Sequence, residues 1–163
     1  MDFKDLVAKR ESTRRYSSRE IEPEKIQIIL EACRLAPSAC NSQPWKIIMV
    51  TRPDLVSEIA QTTYGPALRF NKFVSEAPAI AVIVAEPPSW LSKIGSAVKD
   101  KNLALMDIGM VAEHFCLQAA DLGLGSCMLG WFDEKKAKAL LGVPSSRRIQ
   151  LMIALGYPSN EKP

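Results

Sequence analysis

The sequence predicts one mixed domain of helices and strands, and three observations lead there. The chain has 163 residues, 47% hydrophobic and 24% charged, enough for one globular domain to bury a core and too apolar for a disordered tail. Apolar residues recur at helical spacing in some segments and form short, bounded runs in others, so both kinds of element are present. Eleven prolines, eight glycines and only 7% aromatics fit many short connections, and neither a coiled coil nor a repeat array would use so many breakers. Helices and strands alternate along part of the chain, but two long strand-to-strand intervals leave the sheet order open. Pattern alone therefore does not separate α+β from α/β. No composition break marks a boundary, so residues 1–163 are taken as a single domain.

Phe3, Leu6, Val7 and Arg10 stand at helical spacing and predict a short amphipathic helix ending at the basic run 10–15. Pro23 suits a first helical position, and Ile26, Ile29, Leu30 and Cys33 follow at i, i+3, i+4 and i+7, giving a second helix that Pro37 stops. Residues 36–44 are a loop. Trp45 to Thr51 reads as a strand, Pro53 to Thr62 as a helix, and Pro78 to Ala85, with its Ile80 to Val84 run, as a buried strand. The stretch from Glu86 to Lys101, opened by Pro87 and Pro88, has the least regular pattern.

From Asn102 to Leu122 nearly every position is apolar except Asp107, Glu113, His114, Gln118 and Asp121. Asp107, His114, Gln118 and Asp121 fall on one narrow helical stripe. A helix apolar over most of its circumference is buried on nearly all sides. At about 1.5 Å per residue it nearly spans a bilayer, but those polar residues would be costly there, so a membrane span is not expected. A chain this short has little core to surround such a helix, and burial against a second copy is the economical reading: a homodimer. After Gly123-Leu124-Gly125 an extended piece runs to Phe132. A helix then opens at Asp133 and stops at Gly142, and a last strand, Arg148 to Leu155, ends at Gly156-Tyr157-Pro158.

Charge and motif spacing narrow the chemistry. The 21 basic and 18 acidic side chains nearly balance, so a nucleic-acid partner is not expected and any anion site is local. Residues 1–10 scatter charges among the apolar positions and lack a secretory core, which makes the cytoplasm the default. Cys33, Cys40, Cys116 and Cys127 form no C-x-x-C pair and His114 is the only histidine, which excludes a zinc-type cluster and leaves reduced thiols. Serine- or cysteine-histidine chemistry would rest on His114 alone. Both observations push the chemistry toward a cofactor. Gly123 to Gly130 resembles a nucleotide loop only superficially: Met128 stands where a dinucleotide fingerprint needs glycine, and Trp131-Phe132 follow where a phosphate loop needs lysine and a hydroxyl.

Two segments can bind. Arg10-Glu11-Ser12-Thr13-Arg14-Arg15 offers guanidinium forks and hydroxyls that suit a phosphate, or equally a solvated surface paired to Glu11 and Glu20. Ala36-Pro37-Ser38-Ala39-Cys40-Asn41-Ser42-Gln43-Pro44-Trp45 sets hydroxyls and amides between stiffening prolines, which serves a binding loop or an ordinary helix-to-strand connection.

These two segments, in this order and spacing, resemble the flavin-binding signature of the nitroreductase family. Asp107 to Ser126 is similar to the family's dimer helix and Leu-Gly-Leu-Gly-Ser turn, and Ile149 to Pro158 to its closing strand and Gly-Tyr-Pro. The resemblance implies a short member with an α+β fold, a mainly antiparallel central sheet flanked by helices, and an obligate homodimer holding two FMN molecules at its interface. By position, Arg10, Ser12 and Arg14 would hold the FMN phosphate, ribityl chain and N1/O2 edge. Pro37, Ser38, Ala39, Asn41 and Gln43 would contact flavin bound mainly to the other subunit. Met128, Leu129 and Gly130 would lie beside the isoalloxazine with a backbone donor near N5, and Asn71 would meet the flavin edge.

The implied activity is an FMN-dependent oxidoreductase working by ping-pong. It would take hydride from NADH or NADPH onto flavin N5, then pass it to a small electron acceptor, a nitroaromatic or a quinone. No protein side chain is a catalytic nucleophile and no metal is expected. A flavin carrier with little turnover and a reductive dehalogenase-like relative are the alternatives. Two departures stand out. Many relatives place an arginine or lysine beyond Gly-Tyr-Pro to complete the phosphate site, whereas here either Lys162 reaches the phosphate or Arg10 and Arg14 do most of that work, and the 86–101 segment is short beside the family's helical cover, which predicts an open pocket. Cys40 is expected to pack and His114 to hydrogen-bond at an interface.

Overall fold

The computed structural model describes residues 2–65 and 69–159, with Lys99 described by its main chain alone; Lys162 lies outside the described residues. Among the described residues ten regular elements follow in the order α1 (Phe3–Lys9), α2 (Pro23–Arg34), β1 (Trp45–Val50), α3 (Pro53–Ala60), β2 (Ala79–Ala85), α4 (Trp90–Lys99), α5 (Leu103–Asp121), β3 (Gly125–Leu129), α6 (Glu134–Leu141) and β4 (Arg148–Gly156), with short 3₁₀ turns at Ala39–Asn41 and Lys72–Glu76. The strands form one sheet in the order β1-β2-β4-β3, antiparallel at every junction. Helices cover both faces, so the architecture is α+β.

Strand alternation explains how one sheet feeds two cores. On β2, Ile80, Val82 and Val84 face α3 and α6, where Val56, Ile59 and Ala137 are buried. Ala79, Ala81 and Ile83 face α2 and α5, where Ile29, Cys33, Val111 and Phe115 are buried. On β4, Met152 and Ala154 join the first core, Ile153 and Leu155 the second. Ile149 also joins the first core although strict alternation from Met152 would turn it away. A bulge accounts for this: Ile83 pairs with Leu151 and Val84 with Ile149, so Gln150 is the extra residue.

The helix α5, apolar and long enough to cross a membrane, instead packs on the sheet and α2 with eight side chains buried. Its polar residues do not share one environment. Asp107 is buried, His114 donates from Nδ1 to Met110 O at 2.9 Å, and Asp121 is exposed, accepting from Gln118 Nε2 at 3.3 Å.

The stretch 86–101 is not irregular. It contains α4, capped by Ser89, whose side chain accepts from Ser92 N at 3.3 Å. Its apolar residues Trp90, Leu91, Ile94 and Val98 are all exposed, so its pattern does not face the core of its own chain.

The Gly-Tyr-Pro corner is clamped to the start of α2. Tyr157 donates its hydroxyl hydrogen to Glu22 Oε2 at 2.6 Å and receives one from Lys25 Nζ at 2.6 Å, while the Arg19 guanidinium lies 4.0 Å over its ring. The hydrogen bond from Tyr157, helped by Arg19 and Lys25, holds the Glu22 carboxyl at about 2, well below its ordinary value. A lowered carboxylate pKa gives stability that is complete above the ordinary value, near 4.5, and fades as pH falls toward 2. The Glu22→Gln protein is therefore expected to melt below the parent at pH 7, with the difference narrowing between about pH 4.5 and pH 2. Parallel thermal melts across that range check it, and a gap that widens on acidification contradicts it.

Candidate functional site

The basic segment lies along the free edge of β3. Ser12 and Ser126 form a parallel bridge, Thr13 N donates to Ser126 O at 2.9 Å, and Tyr16 bridges Pro158 farther on. Tyr16 fixes the segment from beneath: its buried hydroxyl donates to Thr13 O at 2.8 Å and lies 3.3 Å from Ala154 O, and burial pushes its pKa up. Thr13 sits directly on Gly125, where any Cβ would collide with the threonine side chain, so glycine is the residue that lets the segment approach. This seating turns Ser12 and Arg14, the residues either side of Thr13, outward; both are exposed. Arg10 is half-buried and pairs with Glu113 of α5 at 3.5 Å, not with Glu11 or Glu20, and Arg14 Nη1 donates to Ser12 O at 3.3 Å.

Since Ser126 O faces the free edge, strand alternation turns the main chain of Met128 the same way, past the point where the basic segment covers it. The Met128 side chain and Gly130 are exposed, while Leu129 is buried in the sheet core. Asn71 is buried beside them, its amide donating to Thr63 O at 3.2 Å and Trp131 O at 3.4 Å, which leaves its Oδ1 as the free acceptor. The adjacent Phe70 ring meets Trp131 edge to face, with centroids 6.3 Å apart.

The 37–43 loop is elsewhere. It leads into β1, the opposite edge of the sheet, three strand spacings or about 14 Å from β3. Cys40, Asn41 and Gln43 adopt left-handed conformations, with φ of 54°, 49° and 43°. For residues other than glycine these cost roughly 1–2 kcal/mol each, less for asparagine, and such strain persists only where surroundings enforce it. Four tethers do so: Ala39 N donates to Asp107 Oδ1 at 3.0 Å, Gln43 N to Ser38 Oγ at 2.9 Å, Gln43 Nε2 to Arg34 O at 3.1 Å, and Ser89 N to Ser42 Oγ at 2.7 Å. Gln43 thus turns its amide back on its own chain. Pro37 and Asn41 are exposed.

Cys40 is exposed on this turn and fills no core of its own chain. The other three thiols are buried. Burial pushes Cys33 up to about 12 and Cys116 up to about 11, the latter against the pull of Ser126 and Arg10, and it raises Cys127 against that of Arg14 and Ser12. These stay protonated at neutral pH.

The candidate residues therefore form two half-sites, one at each edge of the sheet. The hollow at Arg10, Thr13, Gly125 and Ser126 measures about 170 Å³, below the roughly 300–1,000 Å³ of a small-molecule pocket. A larger hollow of about 490 Å³ between Ile21, Pro53 and Pro78 contains none of the candidate residues. Asp107, which the sequence reading left among the polar stripe of α5, is the residue it missed: α5 carries the loop at Asp107 and the basic segment at Glu113, about 9 Å farther along.

The sequence model described as the nitroreductase family matches residues 7–157. An Archaeoglobus fulgidus protein with the provisional name NADH dehydrogenase/NAD(P)H nitroreductase is 35% identical, the match covering 96% of this chain and 86% of that one. The crystal structure of a nitroreductase family protein from Clostridium novyi superposes with a TM-score of 0.86 at 29% identity, covering 98% and 87% of the two chains. A Clostridium difficile structure described as an FMN-dependent nitroreductase does so with 0.76 at 30%, covering 96% and 88%.

Proposed function

Because the chain belongs to the nitroreductase family, we propose that it is an FMN-dependent NAD(P)H oxidoreductase, working as a cytoplasmic homodimer of single-domain subunits. The observation that carries the reading is the division of the candidate residues between opposite edges of one sheet, which a second copy repairs by bringing its 37–43 loop to the basic edge of the first. The residues fit the cofactor. Arg10 and Arg14 offer guanidinium forks, and Ser12 a hydroxyl, to a phosphate and its sugar chain. The outward main chain of Met128, next to Leu129 and Gly130, offers a donor to the ring edge, and Asn71 Oδ1 an acceptor. From the partner, Pro37, Ser38, Ala39, Asn41 and Gln43 would close the ring's other side, Ser38 with its hydroxyl hydrogen unspent. An apolar surface suits the second copy: Leu105, Met106 and Met110 on α5 and Trp90, Leu91 and Ile94 on α4 are exposed.

When bound, FMN supplies hydride transfer through N5, from NADH or NADPH to a nitroaromatic or quinone-type acceptor by ping-pong. The chain's part is placement and field. The Arg10 and Arg14 charges favour negative charge building at the ring edge beside them, and no side chain is needed as nucleophile.

Purified protein is expected to be yellow, to elute as a dimer, and to bleach under anaerobic NADH or NADPH, recovering colour on addition of a nitroaromatic or quinone. Colour that persists with both donors rejects the oxidoreductase in favour of a flavin carrier. A flavin-loaded monomer rejects the shared site.

A further inference from the structure

Asp107 is 3% exposed, and its side chain is a carboxyl. Its Oδ1 takes the main-chain N–H of Ala39, whereas Oδ2 is buried with no hydrogen-bond partner. A buried carboxylate satisfied on one oxygen is costly, and exchange for an uncharged group of the same shape normally stabilises a fold or leaves it unchanged. The place where this cost is met is specific. Ala39 immediately precedes the left-handed residues Cys40 and Asn41, in the loop whose strain has to be enforced from outside. The other tethers on that loop, from Ser38, Arg34 O and the Ser42–Ser89 contact, are uncharged. The hold on Ala39 is the one of the four that comes from a buried side chain.

We propose that Asp107 is the positioning residue of the 37–43 loop: its carboxylate anchors Ala39 N–H and sets the turn in the shape that meets the partner subunit's cofactor, at a cost to the stability of its own fold. The inference rests on the reading above only for what the loop meets. The anchoring itself is a property of the chain without ligand. α5 thereby links the two half-sites mechanically, since the helix that receives Arg10 at Glu113 also holds the loop at Asp107.

The test reads two quantities in wild type, Asp107→Ala, Asp107→Asn and a control, Val111→Ala, which shortens a fully buried side chain of the same helix. One is hydrogen exchange of the Ala39 amide in protein stripped of flavin, and the other is FMN affinity by fluorescence quenching, each beside a thermal melt. Asp107→Ala is expected to speed Ala39 exchange and weaken FMN by on the order of tenfold, the worth of one buried hydrogen bond. Asp107→Asn keeps an acceptor for the amide and cannot ionise. It is expected to show roughly threefold effects on both readouts while melting at or above wild type, a split that a purely structural carboxylate would not produce. Val111→Ala should lower the melting temperature and leave both readouts unchanged. Ala39 exchange equal to wild type in Asp107→Ala overturns the proposal, as does an Asp107→Asn protein that loses stability and loop protection together. Should Asp107→Ala fail to fold, Asp107→Asn alone decides. Wild-type protein that takes up no flavin but shows Asp107-dependent Ala39 exchange rejects the cofactor and keeps the anchor.

Discussion

Replacing Arg10 and Arg14 together with alanine is expected to lower FMN affinity by at least about a hundredfold without unfolding the protein. A hydrogen bond to a charged group contributes roughly 1.5–3 kcal/mol, so two lost contacts to a phosphate remove about 3–6 kcal/mol, or a factor of about 10² to 10⁴. The structure gives these side chains little else to do. Arg14 is exposed, and the ion pair between Arg10 and Glu113 is partly solvated on both sides, a kind worth about 1 kcal/mol or less. Lysine at both positions keeps the charge but not the planar fork, and a loss nearer tenfold is expected. Flavin titration beside thermal denaturation checks the separation of the two effects. A double alanine variant that stays yellow through gel filtration would put the phosphate elsewhere.

The second large effect is expected at Gly125. The Cβ of alanine there would come closer to Thr13 than real side chains tolerate, and Thr13 is held by its own N–H on Ser126 O and by Tyr16 beneath it. Overpacking of this kind costs about 1–3 kcal/mol. Here it is relieved by lifting the 10–16 segment from β3, which moves Ser12 and Arg14 and weakens cofactor binding along with stability. The pair is its own control. Thr13→Gly removes the obstructing atoms, so Gly125→Ala should cost less in that background than in wild type, a coupling measurable by urea denaturation. If Gly125→Ala unfolds at the wild-type midpoint, the close seating is not what holds the segment.

Much of the layout was legible from periodicity alone. The start of α2 at Pro23, the end of α6 at Gly142 and the buried run of β2 all rest on local rules of capping and alternation, and those rules hold whatever the tertiary context. The exception, α4, shows why such rules fail elsewhere. Trp90, Leu91, Ile94 and Val98 do form a helical face after a serine cap, but the face turns to solvent, and Gly95 and two preceding prolines masked the spacing. The sheet order was not legible because antiparallel pairing between β2 and β4 spans about half the chain, and a single sequence carries no signal for contacts so distant. Within the site, residue types in the two binding segments marked them as candidates. Nothing local marked the left-handed turn at Cys40, Asn41 and Gln43, since no glycine sits there, and nothing joined Asp107 to Ala39 across a separation of 68 positions.

The seating of the 12–16 segment has a consequence for solubility. β3 ends the sheet, and a strand in that place exposes a row of unpaired amides and carbonyls on which another chain can add a strand of its own. Ser12 and Thr13 occupy that row at Ser126, and Tyr16 pairs with Pro158 just past the end of β4, which leaves the short reach at Met128 open on β3. A truncation or fusion that frees the first sixteen residues would strip this sleeve from the sheet, and the first symptom would be fibrous or amorphous aggregation of otherwise folded protein.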